Sequence, residues 1–151
     1  MAKKKKKALK KLPMPKEEWE QRQIFIWRKK WIKEIPRLKL LHGSLSGIRL
    51  TPGLRSKNKL LGNTDGIPDI SFPAKDVLGK YPGLYIELKR RGFVKNVSDE
   101  QKKVMKMLAD EGHCTCVCEG FHEAIDIIAD WLGMSEEERW SKEIDGLRPK
   151  F

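Results

Sequence analysis

Asp69, preceded by Pro68, and the triplet Glu87-Leu88-Lys89 eighteen positions later are residues whose types and spacing can do chemistry. On an extended strand alternate side chains share a face, so Glu87 and Lys89 stand together, about 6–7 Å apart along the chain. A neighbouring strand runs only about 4.8 Å away, close enough for Asp69 to set its carboxylate beside that of Glu87. Two carboxylates on one face offer hard oxygen ligands to a divalent cation such as Mg²⁺. Leu88 turns its side chain to the opposite, core face, while its backbone carbonyl stays within reach of the same cation. A cation held there polarises a scissile phosphate and lowers the pKa of a bound water. A lysine beside it orients that water and offsets charge developing in the transition state. The bland alternative is an exposed salt-bridge pair on an amphipathic strand. Against it, Leu84, Tyr85, Ile86 and Leu88 make this segment apolar on both faces, so the charged pair is out of place.

The surrounding sequence supplies an α/β frame. Residues 1–15 are a lysine-rich, low-complexity arm closed by Pro13 and Pro15, expected to be mobile. From Lys16 to about Ile35 the pattern is helical. Glu17, Glu18 and Glu20 occupy its first turn, basic residues its later turns, and Ile24, Trp27 and Trp31 an apolar stripe. Pro36 stops this helix, and Leu38 to Leu41 read as a short strand. Residues 43–67 hold five glycines and Pro52 with little periodicity, and read as a long functional loop carrying Arg49, Arg55, Lys57 and Lys59. Strands follow over about Asp69–Phe72 and Leu84–Leu88, joined through the turn from Gly79 to Gly83. Ser98 is a good N-cap for a helix to about Glu111, with Gln101 in the capping-box position. His113–Cys118 then reads as a strand and Phe121–Leu132 as a helix, and Ser135 with Glu138 marks one more short helix. The order α-β-β-β-α-β-α predicts an α/β domain over residues 16–133, a small mixed β-sheet flanked by helices, with residues 134–151 as a short helix and tail.

Composition narrows the function classes. A chain of 151 residues, 39% hydrophobic and 35% charged, can bury one core and is not disordered in type. No apolar run approaches a membrane span, and no apolar segment follows the basic start, so an intracellular, cytoplasmic protein without a membrane partner is expected. The net charge of +11 is uneven: residues 1–16 carry +8, residues 28–59 carry +9, and residues 60–151 carry −4. That distribution favours a polyanionic partner, most simply nucleic acid. Cys114, Cys116 and Cys118 share one face of a strand and lack a second ligand pair, so they read as buried strand cysteines and not as a zinc site. The five tryptophans read as core and not as base-stacking platforms.

Residues flanking the carboxylates make the pattern specific. Glu17, Gln21 and Trp27 give E-x-x-x-Q-x-x-x-x-x-W on the first helix, and Gly66-Ile67-Pro68-Asp69 opens the second strand. Gly92 and then Ser98-Asp99-Glu100-Gln101-Lys102 follow Glu87-Leu88-Lys89. In this order, over roughly residues 17–132, the set resembles the VRR-NUC family, the virus-type replication and repair nucleases, within the PD-(D/E)xK superfamily. The resemblance implies a restriction-endonuclease-like core and endonuclease activity on DNA that depends on Mg²⁺, with Mn²⁺ able to substitute and no small-molecule cofactor. By position it implies Asp69, Glu87 and the Leu88 carbonyl as metal ligands, Lys89 as the catalytic lysine and Gln101 as the active-site glutamine. The family's helix-borne acid matches Glu17 best, with Glu18 and Glu20 competing. Arg90 and Arg91 join Arg49, Arg55, Lys57 and Lys59 as candidate DNA contacts. Small stand-alone members, many of them viral, resemble this chain in having no appended domains, which implies a homodimer resolving four-way (Holliday) junctions and a phage source. A competing class is a module that grips nucleic acid through the basic arm and loop without cutting it. The acidic pair argues against that class, because carboxylates repel the backbone a pure binder must hold. A third reading, an RNA-associated structural protein, rests on charge alone.

Overall fold

The computed structural model describes residues 16–44 and 50–143; the basic arm of residues 1–15, Arg49 and the tail from residue 144 lie outside the described residues. Helix α1 spans Glu17–Trp31, with the three acids in its first turn and Arg28, Lys29 and Lys30 in its last, as the helix dipole favours. Ile24 and Trp27 are fully buried and Trp31 nearly so, which confirms the apolar stripe.

The segment after α1 departs from the expected strand. Pro36–Leu40 is a 3-10 helix, and only His42–Gly43, strand β1, is extended. Leu38 and Leu41 are buried while Arg37, Lys39 and Leu40 are exposed. Their spacing of three is a helical repeat, not the alternation of a strand. Arg28 fixes the turn by donating from Nε to the Leu38 carbonyl (2.7 Å) and from its terminal nitrogen to the Lys39 carbonyl (3.2 Å).

The stretch expected to be a loop contains a second unforeseen element. Helix α2 spans Pro52–Leu60, with Thr51 as N-cap accepting from the Leu54 N–H and Pro52 opening the first turn, where no N–H is needed. None of its residues is buried.

Strands β2 (Ile70–Phe72), β3 (Leu84–Lys89) and β4 (Cys114–Glu119) complete a sheet in the order β1-β2-β3-β4. The first two pairings are antiparallel and β3–β4 is parallel, so the sheet is mixed, as predicted. Helix α3 (Asp99–Asp110) connects β3 to β4, and α4 (Gly120–Leu132) and the short α5 (Glu136–Arg139) follow. Leu84, Ile86 and Leu88 from one face of β3 join a single buried cluster with Ile24 and Trp27 of α1 and Ile125 and Ile128 of α4. Arg139 closes this side: its guanidinium pairs with Asp126 (3.2 Å) and Asp130 and donates to the Met134 carbonyl (2.8 Å), while its own carbonyl accepts from Trp27 Nε1 (2.9 Å).

Trp27, Trp31 and Trp131 lie in the core, with Trp19 and Trp140 packed against it. The cysteines are free; Cys118 is buried, and Cys116 and Cys118 hold their sulfurs 3.9 Å apart. The tryptophans and Cys118 match the core readings made from sequence, whereas Cys114 and Cys116 are only half-buried, packed against the core. Among the described residues, no helix is long and apolar enough to cross a membrane.

Candidate active site

The antiparallel register pairs Ile70 with Ile86, which sets Asp69, one position before β2, across from Glu87. The approach to Asp69 is tight. Gly66 has φ +82°, and a Cβ there would stand 3.0 Å from both the Glu100 carbonyl oxygen and Val104 Cγ2 of α3. Only glycine takes that backbone angle and that proximity cheaply. A second close approach ties α1 to the same edge: a Cβ on Gly43 would meet Gln21 Nε2 at 2.6 Å. Ser44, one residue on, donates its N–H to the Asp69 carbonyl at 2.8 Å.

Asp69 Oδ2 accepts the Leu88 N–H at 2.8 Å, so Leu88, its side chain in the core, also fixes the aspartate. Glu87 is buried at 1% exposure and Lys89 at 6%. Glu87 Oε1 accepts from Lys89 Nζ at 2.8 Å and from Gln101 Nε2 at 2.6 Å. No N–H reaches the buried Glu87 Oε2, and the Glu87 carboxyl also hydrogen-bonds with that of Asp69. Gln101 also closes the capping box of α3, its Oε1 accepting the Ser98 N–H (2.9 Å) while Ser98 Oγ accepts the Gln101 N–H (3.1 Å). The capping role and the contact with the carboxylate site thus hold at once.

Electrostatics follow from this crowding. Burial, then the neighbouring Asp69 charge, pushes Glu87 up to about 7. Burial also raises Asp69, against the opposing Leu88 N–H and Lys89 ammonium. For Lys89, burial works against the charge, but the hydrogen bond and charge of Glu87, with Glu17 and Asp69 behind them, outweigh it and hold the ammonium protonated. Below about pH 7 the carboxyl pair retains a proton, the behaviour of two acids that cannot both ionise cheaply.

Among the three acids of the first helix, the structure separates the candidates. Glu20 is fully buried and committed elsewhere: its Oε2 accepts the Phe121 N–H at the start of α4 (2.9 Å), and Oε1 faces Arg91 Nε at 3.6 Å. Glu17 is exposed, and its charge acts on both Asp69 and Lys89. Among the described residues, no group of three or more His, Cys, Asp or Glu side chains is gathered to hold a metal ion, so Glu17 does not close a ready-made cage. What fits a hard cation is the Asp69–Glu87 carboxyl pair, buried and crowded by like charge.

The expected DNA contacts fall into two groups. Arg55, Lys57 and Lys59 line exposed α2, where Lys59 pairs with Asp65 at 3.2 Å. Arg90 lies over the Phe93 ring at 3.7 Å, and half-exposed Arg91 is held by Glu20. Arg49 is outside the described residues.

Neither a family profile nor a curated protein matches this chain. Among solved structures, one described as a VRR_NUC domain protein superposes with a TM-score of 0.65 at 28% identity, covering 82% of this chain and 93% of that one.

Proposed function

We propose, from the premise that this chain belongs to the VRR-NUC family and is a nuclease, that it cuts DNA internally with a divalent cation held at Asp69 and Glu87. The observation that carries this reading is the unequal use of the Glu87 carboxylate. Two donors, Lys89 and Gln101, converge on Oε1, and Oε2 is buried without one. Two buried carboxyls in hydrogen-bonding contact cannot both ionise cheaply and hold a proton between them, and a cation ligated by the pair would take the place of that proton.

In this reading Asp69 and Glu87, with the Leu88 carbonyl beside them, hold Mg²⁺ or Mn²⁺. When bound, such a cation stabilises charge on the phosphate and supplies an activated water. The chain's own groups do the rest. Lys89 keeps its proton and sets a compact positive charge where negative charge develops on the phosphorus oxygens. Gln101, from α3, donates to the same Glu87 Oε1 and helps to hold the carboxylate in place. Glu17 is the helix acid with electrical access to the site, and Glu20 serves packing. Branched DNA, cut by a homodimer with one site per subunit, is the substrate form we propose, because two-fold symmetry matches a four-way junction.

The test is a cleavage panel of duplex, flap, single-stranded and four-way DNA with Mg²⁺, with Mn²⁺ and with a chelator. Cutting only in the presence of a cation, with the four-way form cut fastest, is expected. Cutting undiminished in chelator would remove the metal assignment. Binding without cutting under either cation would favour the non-catalytic module instead.

A further inference from the structure

A cleft of about 370 Å³ lies between α2 and the start of α3, and its wall includes Gln101, the residue that reaches Glu87. The cleft therefore adjoins the carboxylate site with one side chain between them. We propose that it takes a single unpaired DNA nucleotide next to the phosphate being cut and reads that nucleotide's base. This rests on the nuclease reading above and names the part of the substrate that the site selects.

The chemistry of the walls points to a base and not to phosphate alone. Arg55 and Lys59 from α2 face a cleft that also holds Asp65 and Glu100. Lys59 pairs with Asp65 at 3.2 Å and Glu100 with Lys103 at 4.0 Å, so both carboxylates come with a cation. A wall of mixed sign suits a ligand with donors and acceptors better than a phosphate alone. Base edges, in contrast, present amino donors that carboxylates accept and ring acceptors that an amide such as Asn63 matches. Leu50 and Ile67 supply apolar surface for the ring. Arg55 has no ion pair among the described residues and is left for the phosphate of the same nucleotide. The volume is that of a small organic ligand, far short of a duplex, so the nucleotide enters only where pairing is broken.

The experiment measures binding of the full chain, without divalent metal, to a flap DNA and to the same DNA with an abasic site at the first unpaired position. A parallel flap carries 2-aminopurine there. The intact flap is expected to bind about tenfold more tightly than the abasic one, as for loss of one good base contact. The 2-aminopurine fluorescence should change on binding. Asn63→Ala should erase the tenfold difference, Arg55→Ala should weaken intact and abasic flaps alike because both keep the phosphate, and Lys106→Ala, further along α3, should change neither. Equal affinity for intact and abasic flaps overturns the proposal, as does a difference that survives Asn63→Ala. Cleavage with Mg²⁺ is scored separately. Cutting without abasic discrimination overturns the cleft assignment alone, whereas discrimination without cutting sustains the cleft and overturns the nuclease reading.

Discussion

In the proposed site Glu87 meets Lys89 and Gln101 through one oxygen and the cation through the pair it forms with Asp69, and each role predicts a different result. Removing the carboxylate, as in Glu87→Ala or Asp69→Ala, should abolish cleavage while leaving a folded protein that binds DNA as well or better, since a repulsive charge is gone. Full cleavage by folded Asp69→Ala would sink the site. Lys89→Ala should lower the single-turnover rate by orders of magnitude and leave affinity nearly unchanged, the pattern of a contact made only in the transition state. Arginine there should rescue poorly, because its planar fork does not replace a compact ammonium. The raised value of Glu87, about 7 against an ordinary 4.5, also fixes a sign for stability. The native state binds that proton more tightly than the unfolded chain, so the group favours folding at low pH, and the advantage fades as pH rises from 4.5 to about 7. The Tm of metal-free protein minus that of Glu87→Gln should therefore fall across this window and level off above it. Added Mg²⁺ should raise the wild-type Tm more at pH 8 than at pH 5; a pH-independent difference would count against the assignment. At this scale the sequence was easily read, because two charges on a strand apolar on both faces stand out. The commitment of Glu20 to Phe121 was not readable, since it joins positions 101 apart.

The N-terminus of α3 joins its own cap to the carboxylate site. Ser98 and Gln101 cap the helix reciprocally, and Gln101 alone goes on to Glu87. Ser98→Ala and Gln101→Ala should each cost about 1 kcal/mol of stability as lost caps. Only Gln101→Ala should also slow cleavage under conditions where both variants are folded. Equal rates for the two would reduce Gln101 to its capping role. The same reasoning explains which elements were legible. Helix α3 is legible from its cap, and α1 and α4 from their apolar stripes. Helix α2 buries nothing, so it left no periodicity to read, and its only signals were Thr51-Pro52 at the start and lysines at the end. The 3-10 turn at Pro36–Leu40 was misread because four apolar-rich residues after a proline look extended until the burial of Leu38 and Leu41 shows a period of three.

Across the whole molecule, charge and fold are separable. The arm of residues 1–15 carries seven lysines and no acid. Its deletion should flatten the dependence of log Kd on log salt, each lost duplex phosphate contact removing about 0.9 from the slope. Binding should weaken for every DNA form alike and the cut sites should stay put; loss of preference for one form alone would make the arm a reader of shape. The mixed sheet was foreseen because strand and helix signals alternate along the chain, whereas no local pattern says which distant groups close the core. One such closure is a matter of timing. Trp27 in the first helix gives its indole N–H to the carbonyl of Arg139, 112 positions later. A ribosome delivers residues in order, at about 5–20 per second, so the helix bearing Glu17 waits several seconds for that partner. Asp69, Glu87 and Lys89 are by then already synthesised but not yet braced from behind. On the proposed reading, a nascent chain stalled before residue 139 carries Asp69, Glu87 and Lys89 without this contact behind them, and should cut far more slowly than the same chain extended past Arg139.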